Sequence, residues 1–120
     1  MYIKLDRDYE VKCTLGTIKD IETSFQKPFF TLASALDKLT TDEQIRFLYA
    51  GVRRADPSVT RERFTDACEE MLGIGDLVEY LEKFVLQLQY PGLSQEEIRE
   101  KIEKKLQAAE RIKDLTGAKS

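Results

Sequence analysis

The chain contains no histidine and no tryptophan, and only two cysteines, three prolines and six glycines in 120 residues. Without histidine it lacks the commonest general base, the commonest transition-metal ligand and every Ser–His or Cys–His nucleophile pair. Most enzyme classes are thereby set aside, and a non-catalytic protein without cofactor or metal is expected. Cys13 and Cys68 lie far apart, with no CxxC spacing and no histidine to complete a zinc site, and read as buried structural thiols. Met1–Asp6 lacks both the basic start and the long apolar run of a signal peptide. No window approaches the ~18 apolar residues of a membrane span, so neither a membrane nor export is expected, and the expected location is a cytoplasm.

With few chain breakers, 42% hydrophobic and 34% charged residues, the composition is that of a folded, helix-rich chain. At this length one core is the default. The 19 basic and 22 acidic residues give a net charge of −3, opposite to the basic footprint that binds nucleic acid through counterion release. No nucleic-acid partner is expected. Arg53-Arg54 with Arg61 and Arg63 form the one dense basic cluster, interleaved with Asp56, Glu62 and Asp66. It reads as a solvated helix face, with a modest anionic partner as the alternative.

Ile3 and Leu5 alternate with Tyr2, Lys4 and Asp6, and Tyr9, Val11 and Cys13 alternate with Glu10 and Lys12, which predicts a β-hairpin turning at Asp6-Arg7-Asp8. Asp6-x-Asp8-x-Glu10 is not a calcium loop, because Val11 stands where the loop needs glycine and Thr17 where it needs the bidentate glutamate. Thr14 can cap a helix with Leu15, Ile18, Ile21 and Phe25 on its inner face, ending before Pro28. Phe29, Leu32, Ala33, Leu36 and Leu39 predict a second short helix, on which the adjacent rings Phe29 and Phe30 cannot face the same way. Thr41 and Gln44 spell a capping box for a helix over 42–55 with Ile45, Leu48, Tyr49 and Val52 inward. Thr60, flanked by the staple Val59 and Phe64, opens a helix burying Phe64, Ala67, Cys68, Met71 and Leu72, with Gly73 as its left-handed stop. The helix over 76–90, carrying Leu77, Val78, Leu81, Phe84, Val85 and Leu88, is the most apolar and the expected centre of the core.

After the turn at Pro91-Gly92, Ser94 and Glu97 form a capping box and Leu93 and Ile98 a staple. The helix they open, over about 95–115, differs in kind. Glu97 toward Lys101 and Glu100 toward Lys104 form favourable i,i+4 pairs, and only Ile98, Ile102, Leu106, Ala109 and Ile112 make a narrow apolar stripe. Residues 94–120 hold 7 basic and 6 acidic side chains against 12 and 16 in residues 1–93. The chain thus divides into a helical domain with an N-terminal hairpin over 1–93 and a charged amphipathic helix over 94–120. That helix either docks on the domain or projects as an arm whose stripe binds a second copy or a partner. The expected fold is mainly α: a compact multi-helix domain with a small hairpin and a charged C-terminal helix.

Asp66 and Glu70 share a helix face and could pair as acid and base. No nucleophile, phosphate loop or metal spacing accompanies them, so they read as surface carboxylates. Gly73-Ile74-Gly75 lacks the third glycine and the preceding strand of a dinucleotide fingerprint and reads as a connector.

The hairpin followed by "TLGTIKDIETSFQKPFFTLASALDKLTTDEQIRFLYAGVRRADPSVTRERFTDACEEMLG" and a further helix resembles the tail assembly chaperones of long-tailed bacteriophages and related prophage or gene-transfer-agent proteins. Leu15-Gly16 with Ile18 and Ile21-Glu22 is similar to the family's early helix. Leu48, Ala50-Gly51, Asp56-Pro57 and Thr60 resemble its central helix, Asp-Pro linker and Thr-capped helix, and the likeness covers residues 2 to 90. It implies a non-catalytic, self-associating assembly factor that binds the tape measure protein and brings tail tube subunits to it. No catalytic residue carries over. The alternative is a small structural virion protein, a tail or head-completion component.

Overall fold

The N-terminal alternation closes as an antiparallel pair, β1 (Tyr2–Lys4) and β2 (Asp8–Glu10), with Ile3 opposite Tyr9. These two side chains and Val11 point inward and are buried. The structure, a computed structural model, describes residues 1–116 and, near its end, side chains through Lys105 and that of Gln107. The hairpin closes within its own chain: Val11 N–H donates to the Met1 carbonyl at 2.8 Å and Lys12 N–H to the Gly51 carbonyl at 3.0 Å.

Thr14 caps α1 (Leu15–Phe25) in a reciprocal box with Thr17. Leu15, expected inward, is 78% exposed, because Thr17 takes the inner position: it is fully buried and its hydroxyl donates to the Lys12 carbonyl at 2.6 Å. Among the described residues the only positive φ belongs to Gln26 (53°), the C-cap of α1. Glu22 then turns the corner, its carboxylate accepting from Phe29 N–H at 2.9 Å. The helix expected over Phe29–Leu39 breaks into α2 (Phe29–Ala33) and a 3-10 turn, Leu36–Lys38. Phe29 is buried and Phe30 is 73% exposed.

α3 (Thr41–Ala55) is capped by Thr40 with Glu43, one residue earlier than the expected box. Adjacent threonines permit both registers, and the charged Glu43 is the stronger acceptor. Bonds from the Thr40 backbone and hydroxyl hold the Glu43 carboxyl below its usual range. Gln44, released from capping, is buried and donates to the Leu36 carbonyl at 3.0 Å. Tyr49 is half-buried and its hydroxyl donates to the Val59 carbonyl at 2.7 Å.

Thr60 caps α4 (Arg61–Met71) as expected, with Val59 and Phe64 buried beside it. Met71 is 53% exposed. Gly73 is not a left-handed stop: its φ is −85°, and it is the N-cap of α5 (Ile74–Gln89), donating to Asp76 at 3.0 Å. Extended Leu72 has already ended α4, so no left-handed residue is needed. α5 therefore starts at Ile74, and Val78, on its outer side, is 41% exposed. α6 (Gln95–Thr116) follows.

The central element is α3, not the more apolar α5. α3 packs on α1, α4, α5 and β2, whereas α5 lies between α3 and α6. The Phe47 ring of α3 stands edge-on to Phe29 (6.3 Å) and Phe84 (5.7 Å), and Phe64 joins Tyr9 at 5.5 Å. Such edge-to-face pairs add about 0.5–1.5 kcal/mol each beyond burial. Desolvation pushes the Cys13 thiol up to about 11 and the buried Cys68 thiol to about 12, so both stay protonated at neutral pH. Among the described residues no helix is long and apolar enough to cross a membrane.

Candidate interaction surface

The turn between α5 and α6 is built around one buried amide. Gln87 places its two N–H donors among the carbonyls of Tyr90 (3.3 Å), Pro91 (3.1 Å) and Leu93 (3.0 Å), and its Oε1 accepts from Gln95 Nε2 at 2.8 Å. The side chain is 6% exposed, and every one of its polar atoms is used. A polar residue inside an apolar helix gives no such signal in sequence, since its partners are carbonyls of a turn folding back on it. The Ser94 and Glu97 box then starts α6, with Glu97 N–H donating to Ser94 Oγ and Ser94 N–H to Glu97 Oε1, both at 3.2 Å. Lys101 places its ammonium 5.1 Å from the Tyr90 ring centroid. The direction in which α6 leaves the body is therefore fixed at its first turns.

The stripe of α6 divides along its length. Ile98 is fully buried, and α6 packs on α5, so Ile98 serves the chain's own packing and offers nothing to a partner. Ile102, one turn on, is half-buried and stands in a groove of about 310 Å³ with Phe30, Leu36, Val85 and Leu86. Lys101 and Lys105 line its α6 side and Glu82 its α5 side. The side chains of Leu106, Ala109 and Ile112 lie outside the described residues. The sequence marks Phe30 for this surface only through the Phe29-Phe30 pair, one ring of which can turn inward while the other stays out.

Asp66 and Glu70 do lie together, in a shallow groove with Asp6, Glu62 and Thr60. Its basic lining residue, Arg63, is 3.8 Å from Asp6. Among the described residues no three His, Cys, Asp or Glu side chains are placed to hold a metal ion. No protein-family model, curated protein or solved structure matches the chain.

Proposed function

We propose that this chain is a non-catalytic tail assembly chaperone that binds the tape measure protein through the groove between α2, α5 and α6 and helps recruit tail tube subunits. The reading rests on the resemblance of residues 2–90 and is carried in the structure by one observation. An apolar ring, Phe30, stands 73% exposed at a groove that also holds Ile102, at the root of a long charged helix. Lysines on one rim and Glu82 on the other suit an amphipathic helix with acidic residues toward α6 and a basic residue toward α5. Helices seat in grooves in this manner through apolar anchors at i, i+3 or i+4 and i+7. A few such side chains contribute about 1.5–3 kcal/mol each before association costs, an affinity suited to a factor that leaves the finished assembly.

Co-expression with a tape measure protein encoded beside this chain tests the reading. Soluble co-purification is expected, and Ile102→Asp or Phe30→Asp should abolish it while leaving the thermal transition nearly unchanged. Absence of association, with the chain recovered in purified particles, would replace the chaperone reading by that of a structural virion component.

A further inference from the structure

On another face of the molecule α1, α3 and the first turn of α4 enclose an open groove of about 330 Å³ lined by Arg46, Arg53, Arg61, Tyr49, Asp20 and Ser24. Among the described residues none of these three arginines forms an ion pair. The one carboxylate lining the groove, Asp20, is taken by Arg54 at 3.2 Å, and the Arg46 charge acts on the Glu43 carboxyl, one turn back on α3, only as a minor influence beside the Thr40 bonds. Arg46 is held in place, its guanidinium stacked 4.2 Å from the Phe25 ring centroid. Its Nε is buried and without a hydrogen-bond partner. A buried donor left unpaired is costly, and a stacked, fixed guanidinium is well suited to hold a carboxylate by donating to it from its planar fork. Tyr49 donates its hydroxyl to the Val59 carbonyl, which fastens α3 to the segment leading into α4 and so brings Arg61 to the groove that Arg53 lines.

Spacing narrows the ligand. Arg46 and Arg53 are seven residues apart on one helix, so their Cα atoms stand about 10 Å apart along its axis, and the Phe25 ring holds Arg46 at its own end of the groove. Two carboxylates match that spacing when seven residues apart on a helix or three apart in a polyproline II segment, at about 3.1 Å per residue. A long nucleic acid is disfavoured by the net charge of −3. We infer that the groove of Arg46, Arg53 and Arg61 binds an acidic segment of a protein partner, clamping two carboxylates about 10 Å apart. This surface is separate from the α2, α5 and α6 groove and stands whether or not that one binds the tape measure protein.

The probe is an alanine-rich helical peptide with two glutamates seven positions apart, titrated at low ionic strength and followed by amide shifts of α1 and α3. Saturable binding is expected that weakens as salt is added. Arg53→Gln/Arg61→Gln should weaken it about tenfold, the loss expected of two partly exposed charge pairs, with no change in the thermal transition. Arg46→Lys, which keeps the charge and loses the fork, should weaken it by a smaller factor. No saturable binding, or binding indifferent to the arginine substitutions, would overturn the proposal. Equal affinity for a peptide with its glutamates four apart, for inorganic phosphate, or a tighter arginine-dependent affinity for a single-stranded oligonucleotide, would overturn the assignment to spaced carboxylates.

Discussion

Gly51 sits where three elements meet: a Cβ there would lie 2.5 Å from Val11 Cγ1 and 2.9 Å from Phe84 Cε1. The close approach is what lets Lys12 reach the Gly51 carbonyl and dock the hairpin on α3. Alanine at this site gains about 1 kcal/mol of helix propensity and meets overpacking of about 1–3 kcal/mol. Because Phe84 and Val11 are both buried and cannot swing away, Gly51→Ala should lower the denaturant midpoint. At Gly75, in the first turn of α5, a Cβ meets nothing within 4 Å. There the same substitution should raise stability by roughly 0.4–1 kcal/mol. A Gly51→Ala variant as stable as the parent would show that the hairpin is free to shift off α3.

At the scale of elements, the α5–α6 junction is where a single polar side chain decides geometry. Gln87→Met keeps the volume and removes every amide bond, leaving the Leu93 carbonyl and the Gln95 amide without their partner. A cost of roughly 1–3 kcal/mol is expected. More telling is its distribution: amide exchange at Ile98 and the first turns of α6 should accelerate, while α3 amides exchange only with global unfolding. Uniform acceleration would mean that α6 and the body unfold as one unit.

The helices themselves were legible because their starts are written locally. Thr14, Thr60 and Ser94 cap where their spacing predicts, and Pro28 and Pro91 stop what precedes them. What escaped depended on residues distant in sequence. Thr40 and Thr41 spell two boxes; the charged Glu43 favours the earlier one, and the Leu36 carbonyl, eight residues before Gln44, occupies the amide that the later one would have used. Gly73 reads as a stop because glycine so often supplies a left-handed residue, yet Leu72 ends α4 in an extended conformation and glycine serves the next helix. Of the candidate partner stripe, the spacing was visible, but Ile98 and Ile102 differ only through the approach of α5. Arg46 stands outside the basic cluster that the sequence shows, and its stacking on Phe25, which joins two helices, has no sequence signature.

For the whole molecule, the arrangement of the core bears on whether residues 94–120 are a separate part. Among the described residues, the aromatic cluster and the hydrophobic side chains packed with it come from residues 1–88, with α3 joined to α1, α4, α5 and the hairpin. Of the described α6 side chains only Ile98 is fully buried. A chain ending at Leu93 should therefore fold cooperatively and keep its near-UV signature, since its core is complete without α6. It should lose the roughly 1.5–3 kcal/mol of one buried isoleucine, a sizeable share of the ~5–15 kcal/mol of a typical domain. It should also lose binding to the tape measure protein, because Ile102, Lys101 and Lys105 go with α6, while retaining the acidic-peptide site on α1 and α3. A truncated chain that fails to fold would make α6 part of the domain itself, and its groove an internal seam instead of a docking site.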